Sequence, residues 1–198
     1  MPKLLLATNN KGKVKEYKKL LGGLALTLLS PTELGINAEV VETGSTFADN
    51  ATLKATEMSR RSGLAALADD SGLEVTALDG QPGVRSARYA GENKSDAERV
   101  AFLLEKLKDV PPHKRSARFI CVIAITIPQG EVILCRGECQ GIIATEPKGD
   151  KGFGYDPVFF IPELGKTIAE LSPQQKNEVS HRGKAARKAA AVLKELKL

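Results

Sequence analysis

The chain has 198 residues, of which 42% are hydrophobic and 27% charged, with 18 glycines and 10 prolines. This composition is typical of a globular protein, and it excludes fibrous, collagen-like and low-complexity classes. No apolar run approaches the ~20 residues of a membrane span, and the run at residues 4–7 is too short for a signal-peptide core. We therefore expect a cytoplasmic protein with no membrane partner, whose three cysteines are reduced.

Positive charge is in excess and lies near the two ends of the chain. Lysine and arginine number 29 against 24 aspartates and glutamates, which gives a net charge of +5. The basic segments, residues 3–19 and 182–198, predict an anionic partner, either a nucleic acid or a small polyphosphate. There is no tryptophan, and only 5% of the residues are aromatic, so the stacking side chains of single-strand binders are missing. We expect no nucleic-acid partner.

Strand and helix patterns alternate in the first half of the chain. Apolar runs predict strands at residues 3–8, 25–30 and 64–68. A first helical pattern ends at Gly22-Gly23, and a second begins at a capping box of Thr46 and Asp49 and ends at Gly63. Residues 73–78 are predicted to pair with the third strand, which would place Asp69-Asp70-Ser71-Gly72 in the turn between them.

The second half mixes the same elements without a strict repeat. Ser95 and Glu98 form a capping box that predicts a helix stopped by the prolines at 111–112. Residues 119–127 and 131–143 predict an antiparallel hairpin. Ser172-Pro173 predicts a helix start, and a last helix is predicted from about Gly183. The class is therefore α/β with a mixed sheet flanked by helices, in a single domain of residues 1–198.

The first segment with chemical potential is Thr8-Asn9-Asn10-Lys11-Gly12-Lys13. It lies where a buried strand gives way to a helix, and free backbone N–H groups at a helix start favour phosphate. It is not a P-loop, because Val14 stands where that motif has a hydroxyl residue. An ordinary polar turn with solvated lysines is the alternative.

Loop carboxylates form a second group. Asp69 and Asp70 follow an apolar strand, and Glu42 lies in another predicted loop. Mg²⁺ is usually held by one or two carboxylates together with substrate phosphates, so a sparse acidic set beside a lysine-rich turn predicts a metal and phosphate site. The alternative is a solvated turn, since Asp and Gly are common turn residues.

Two further segments could recognise a nucleobase. In residues 151–157, two aromatic side chains are flanked by glycines and followed by Asp156, which could offer a stacking surface and a hydrogen-bond acceptor. Lys176 and the segment Ser180-His181-Arg182 could donate to carbonyl or phosphate oxygens. A loop whose aromatic rings enter the core, and a solvated helix start, are the alternatives.

Taken together, these segments resemble one family along the whole chain. The matching segments are ATNNKGK (7–13), ETGSTF (42–47) with Asn50-Ala51 and residues 53–55, ADDSGL (68–73), PGVRSAR (82–88), GFGYDP (152–157) and SHR (180–182). In this order and spacing they resemble the inosine triphosphate pyrophosphatase family, hydrolases of non-standard purine nucleotides. The joint match is far more specific than any single segment.

The resemblance implies a homodimeric, Mg²⁺-dependent enzyme that hydrolyses ITP, dITP and XTP to the monophosphate and pyrophosphate. It also implies an elongated α/β fold with two lobes around a nucleotide-binding cleft. Asp70 would be the catalytic base and a metal ligand, and Glu42 a second ligand. Many members have another acidic residue where Val41 stands, and Glu39 is a candidate replacement.

The substrate-binding residues implied by the resemblance fall into two sets. The triphosphate and its surroundings would be held by Thr8, Asn9, Asn10, Lys11, Gly12, Lys13 and Ser71. The base would be held by Phe153, Gly154, Tyr155, Asp156, Lys176, His181 and Arg182. Two alternatives stay open: a related pyrophosphatase for pyrimidine or methylated nucleotides, and a nucleic-acid-binding module without turnover. The carboxylates argue against the second, because phosphate binding alone gains nothing from them.

Overall fold

The computed structural model describes residues 1–37 and 40–196. Seven strands and five α-helices follow one another with short 3₁₀ turns between them. The strands are β1 (Lys3–Leu6), β2 (Thr27–Leu29), β3 (Ala65–Val75), β4 (Ser116–Thr126), β5 (Val132–Ile143), β6 (Phe159–Ile161) and β7 (Lys166–Thr167). The helices are α1 (Lys11–Leu20), α2 (Phe47–Ser62), α3 (Asp96–Lys106), α4 (Pro173–Val179) and α5 (His181–Glu195).

The seven strands form one mixed sheet in the order β2-β1-β3-β4-β5-β6-β7. β1 pairs in parallel with both β2 and β3, whereas β6 is antiparallel to β5 and β7. The connection between the neighbours β4 and β5, residues 127–131, is too short for a parallel crossover, so these two strands form the predicted hairpin. The predicted α/β class with a mixed sheet is confirmed. Within the described ranges, no helix has the length and apolar character needed to cross a membrane.

Contacts between residues divide the chain into two compact units. The first comprises residues 1–70, 121–137 and 181–198, and the second residues 71–120 and 138–180. Each has its own apolar core. Leu4, Leu6, Tyr17, Cys121 and Ala186 belong to the core of the first unit. Leu73, Leu103, Phe119, Tyr155 and Phe159 belong to that of the second. The single-domain assignment stays a prediction.

Three predicted helix starts are confirmed, since each depends on local hydrogen bonds. Thr46 caps α2 in a capping box with Asp49. Ser95 and Glu98 do the same for α3. Ser172 and Gln175 do so for α4. In each box the hydroxyl accepts from a backbone N–H, and the acidic or amide side chain accepts from the backbone N–H of the capping residue. The two bonds satisfy N–H groups that a helix end otherwise leaves unpaired.

The predicted turn at Asp69 to Gly72 is wrong. β3 runs without interruption from Ala65 to Val75, so both aspartates lie inside a strand that is almost entirely buried. Asp, Ser and Gly are common in turns, so this segment was predicted to break the strand. The two carboxylates are tolerated inside the strand because cations from distant parts of the chain contact them, and the sequence does not show those contacts. Two smaller differences are that β7 was not predicted and that α5 begins at His181, which places Arg182 within its first turn.

Candidate active site

The parallel pairing of β1 with β3 places the first phosphate candidates beside the acidic pair. The register joins Leu6 to Leu67, and the N–H of Ala7 donates to the carbonyl oxygen of Leu67 at 2.8 Å. Two residues further along, the same register places Thr8, in the loop after β1, level with Asp69 of β3. Ligands of open α/β sheets bind at such carboxyl ends of parallel strands.

The start of α1 leaves its positive end available to an anion. The side chain of Asn10 accepts from the N–H of Lys13 at 3.1 Å, and Thr8 Oγ1 accepts from the N–H of Asn10 at 3.2 Å. No acidic residue lies in the first turn. The helix dipole is therefore not neutralised locally, which favours an external phosphate.

A cavity of about 550 Å³ opens beside this loop and the exposed face of α1. Its lining residues are Thr8, Asn9, Lys11, Val14, Lys15, Lys18, Lys19, Ser30 and Thr32. The volume lies within the ~300–1,000 Å³ range of small-molecule sites, and the four lysines suit an anionic ligand.

Asp69 is the centre of a buried ion network. Asp69 is only 2% exposed, and its carboxylate forms an ion pair with Lys13 Nζ at 2.6 Å and accepts from Arg182 Nε at 3.0 Å. Arg182 Nη1 also donates to Glu16 at 2.7 Å. Burial alone would raise the pKa of Asp69, but the positive charges of Lys13 and Arg182 outweigh it and hold that pKa far below its usual value. Asp69 is therefore held in its ionised form between two cations.

Asp70 lies in a different environment although it is the next residue. Lys54 Nζ donates to Asp70 Oδ1 at 2.9 Å and to Glu42 Oε1 at 2.7 Å. Asn50 Nδ2 donates to Asp70 Oδ2 at 3.4 Å. Burial raises the pKa of Asp70 above its usual value, in spite of the opposing charge of Lys54. A carboxylate with a raised pKa and fixed neighbours is suited to accept a proton.

Asp70 and Glu42 also fit a divalent cation. A single ammonium group already lies within hydrogen-bond distance of one oxygen from each, so the two carboxylates converge on a common positive charge. Among the described residues there is no group of three or more His, Cys, Asp or Glu side chains arranged to hold a metal. Two carboxylates suffice for Mg²⁺ when substrate phosphates complete its ligands. Glu39 lies outside the described residues, and Val41 is 76% exposed.

In the second unit, Asp156 is hydrogen-bonded to two other residues of the predicted base site, Phe153 and Lys176. Its Oδ2 accepts from the N–H of Phe153 at 3.0 Å and from Lys176 Nζ at 2.7 Å. Lys176 Nζ lies 4.8 Å from the centre of the Phe153 ring, within cation–π range. Gly152 has a φ of +82°, and a Cβ there would overlap Oδ2 of Asp156, so only glycine fits.

The two aromatic residues of this loop have different surroundings. Phe153 is half-buried, so part of its ring is accessible to a ligand. Tyr155 is only 4% exposed, lies in the core of the second unit and donates its hydroxyl to the carbonyl oxygen of Ser86 at 2.8 Å. The ring available for stacking is therefore that of Phe153, and Tyr155 anchors the loop. Ser71, the residue after Asp70 in β3, is half-buried.

His181 and Arg182 lie in the first turn of α5, within the first unit, and both are buried. A Cβ at Gly137 of β5 would overlap the carbonyl oxygen of His181 and lie 2.5 Å from the backbone nitrogen of Ala185. The absence of a side chain at Gly137 therefore lets α5 pack closely on β5. Arg182 forms ion pairs with Asp69 and Glu16, and its base-reading role stays a prediction.

Three polar residues of the first unit had no role assigned from the sequence, although Asn50 and Lys54 lie in segments that carry the family resemblance. Asn50 and Lys54, which lie four residues apart on α2, contact Asp70, and Glu16 on α1 contacts Arg182. Asn50 lies on the same buried face of α2 as Ala51 and Ala55, and a polar residue on such a face is a usable signal. Glu16 has no comparable signal, because it lies in a lysine-rich stretch that resembles a solvated helix face.

Comparison with known proteins gives one consistent result. Residues 4–192 match the Ham1 family. The dITP/XTP pyrophosphatase of Desulforamulus reducens is 53% identical over 194 residues, which cover 98% of this chain and 96% of that protein. The dITP/XTP pyrophosphatase of Geobacillus kaustophilus is 50% identical over 95% and 92% of the two chains. Among solved structures, a HAM1 protein from Coxiella burnetii superposes with a TM-score of 0.90 at 45% identity and covers 98% of this chain and 100% of its own.

Proposed function

Because the chain belongs to the Ham1 family, we propose that it hydrolyses ITP, dITP and XTP to the monophosphate and pyrophosphate. One arrangement carries the proposal. The buried carboxylate of Asp70 and the carboxylate of Glu42 both pair with Lys54. Asp69, the residue before Asp70, pairs with Lys13, which belongs to the helix start that favours phosphate. A proton acceptor, a cation site and a phosphate site are what cleavage of a phosphoanhydride requires.

The triphosphate is bound by the segment from Thr8 to Lys13. Backbone N–H groups at the start of α1 and the lysine side chains offset the negative charge that would otherwise repel an incoming hydroxide. Asp69 holds Lys13 in place, so its ammonium is positioned before the substrate arrives. Such preorganisation avoids rearrangement during the reaction.

Asp70 acts as the general base. It takes a proton from a water molecule, the resulting hydroxide attacks the α-phosphorus, and the bond from that phosphorus to the bridging oxygen breaks to release pyrophosphate. Glu42 and Asp70 would hold Mg²⁺, which supplies Lewis-acid polarisation of phosphoryl oxygens when bound. Asn50 and Lys54 keep the carboxylate of Asp70 oriented.

Base recognition is assigned to Phe153 as the stacking ring, with Lys176 and Asp156 as polar contacts. His181 and Arg182 are proposed as further donors to the 6-oxo group shared by hypoxanthine and xanthine. Adenine carries an amine at that position, which would leave buried donors unpaired, and sites of this kind discriminate by up to ~10⁴. Homodimer formation stays a proposal, and light scattering after size-exclusion chromatography tests it.

The test is pyrophosphate release from ITP, dITP, XTP, GTP, ATP and dUTP, with Mg²⁺ and with excess chelator. We expect rapid release from the first three nucleotides, only with Mg²⁺, and its loss in Asp70→Asn. Preference for dUTP or a methylated nucleotide would instead indicate the related pyrophosphatases. Salt-sensitive binding of DNA or RNA without turnover of any nucleotide would support the nucleic-acid-binding alternative.

A further inference from the structure

The start of α3 is connected to the loop that carries Phe153, and the proposed chemistry does not use this connection. Asp96 is the first residue of α3, and its Oδ2 accepts from the N–H of Gly154 at 2.7 Å. The same carboxylate pairs with Arg99, which donates to the carbonyl oxygen of Ala87 at 3.0 Å. Ala87 belongs to the segment at residues 82–88, for which the sequence suggested no role.

The two peptide groups on either side of Phe153 are each held by a carboxylate. The N–H of Phe153 belongs to the peptide that precedes its Cα and donates to Asp156 at 3.0 Å. The N–H of Gly154 belongs to the peptide that follows and donates to Asp96 at 2.7 Å. Since each hydrogen bond restrains one peptide plane, the two together restrain φ and ψ of Phe153 and thereby the direction of its Cα–Cβ bond.

Only one of these two carboxylates has a place in the proposed base site. Asp156 is buried and also binds Lys176. The side chain of Asp96 is 44% exposed, and an exposed i,i+3 pair such as that with Arg99 adds little stability. An acidic residue in a first helical turn is common because it complements the dipole, and Glu98 in the same turn fulfils that role as well. The contact with Gly154 is what distinguishes Asp96 from Glu98.

We propose that Asp96 is a positioning residue that sets the orientation of Phe153 and, through it, the choice of base. This inference rests on the proposed function, in which the Phe153 ring stacks on the purine. Asp96 acts through the backbone of Gly154 and needs no contact with the substrate. Its loss would free the following peptide plane and let the ring turn away, while the phosphate residues and Asp70 stay unchanged.

The experiment compares Asp96→Ala with Glu98→Ala, which removes the side-chain half of the capping box of α3; within the described part of the chain, the side chain of Glu98 bonds to Lys94 and Ser95. For Asp96→Ala we expect a rise of about ten- to a hundredfold in KM for ITP, the effect of losing one charge-assisted hydrogen bond. The kcat should change much less, and the preference for ITP over ATP should fall. Asp96→Asn keeps a carbonyl acceptor and should restore part of the affinity.

A second measurement reports on the loop without using turnover. The chain has no tryptophan, so Phe153→Trp introduces a single fluorescent reporter. Adding Asp96→Ala to this variant should increase acrylamide quenching of the tryptophan and shift its emission to longer wavelength, and adding Glu98→Ala should do neither.

Three outcomes would overturn the proposal: unchanged KM in a folded Asp96→Ala protein, an equal rise in KM for Glu98→Ala, or unchanged quenching in the double variant. Failure of the proposed function is distinguishable from these, because the wild type would then release no pyrophosphate from ITP while the fluorescence comparison would still report whether Asp96 orients residue 153.

Discussion

Asp69 and Asp70 are consecutive residues of β3 whose pKa values move in opposite directions. Two cations contact Asp69 and lower its pKa, whereas burial dominates at Asp70 and raises its pKa. A carboxylate that never takes a proton is useful as a fixed charge, and one that takes a proton readily is useful as a base. The division of roles therefore follows from what each side chain contacts.

Substituting the two aspartates should separate stability from turnover. Asp69→Asn leaves Lys13 and Arg182 short of a buried partner and should lower the free energy of unfolding by ~3–5 kcal/mol. Asp70→Asn should change that free energy by less than ~1 kcal/mol and reduce turnover of ITP by ~10²–10⁴. Urea unfolding and steady-state rates measure the two effects, with the exposed Asp109→Asn as control. Equal stability losses for both would contradict the assignment.

Acid should destabilise the protein through Asp69. Because its pKa is lower in the folded chain than the ordinary 3.8, its contribution is complete above that value and is lost as the pH falls below it. The unfolding free energy of the wild type should therefore drop more steeply below about pH 4 than that of Asp69→Asn. Parallel slopes in urea titrations at several pH values would show that Asp69 is not the group responsible.

Lys54 should tune the pH at which Asp70 becomes active as a base. Its positive charge lowers the pKa of Asp70, so Lys54→Gln should raise that pKa further and move the acid limb of kcat/KM to higher pH. Lys108→Gln, at an exposed lysine paired only with Glu105 among the ion pairs of the described residues, is the matched control. An acid limb that stays in place, or moves to lower pH, would exclude direct coupling between Lys54 and the base.

At the scale of elements, local signals in the sequence were sufficient for the helices and insufficient for β3. Capping boxes lie within four consecutive residues, so Ser95 with Glu98 could be recognised directly. The aspartates of β3 are tolerated inside a buried strand because of partners that lie far away along the chain: Arg182 is 113 positions from Asp69. No local pattern reveals such a pairing. The acidic pair itself indicated a metal and phosphate site, and it was the family resemblance that indicated Asp70 as the catalytic base.

The contact of β5 with α5 depends on Gly137. Gly137→Ala should push the start of α5 away from the strand, with a loss of ~1–3 kcal/mol in unfolding free energy from overpacking. Because Arg182 lies in that first turn and binds Asp69, ITP hydrolysis should fall as well. Gly23→Ala is the control, since its Cβ would meet no atom of the described residues within 4 Å. An unfolding free energy for Gly137→Ala equal to that of the wild type would contradict this prediction, because α5 could then move away from β5 without loss of stability.

At the scale of the whole molecule, three strands contribute residues to both compact units. β3 divides between Asp70 and Ser71, β4 between Ile120 and Cys121, and β5 between Gly137 and Glu138. Because each of these strands is continuous, unfolding of the strands in one unit would also disorder strand residues of the other unit. The two cores are separate, but the elements that support them are shared.

We therefore expect the chain to unfold in a single transition. At ~0.7 kcal/mol per residue, 198 residues give a calorimetric enthalpy near 140 kcal/mol around 60 °C, and the van't Hoff enthalpy should equal it. Leu6→Ala truncates the core of the first unit and Leu103→Ala that of the second, and each should lower the one Tm by roughly 5–20 °C. If the units unfolded independently, the van't Hoff enthalpy would be about half the calorimetric value, and each variant would shift only one of two transitions. Differential scanning calorimetry of the wild type and both variants distinguishes these cases by the number of transitions and by the ratio of the two enthalpies. We expect the single transition because three strands are shared by the two units.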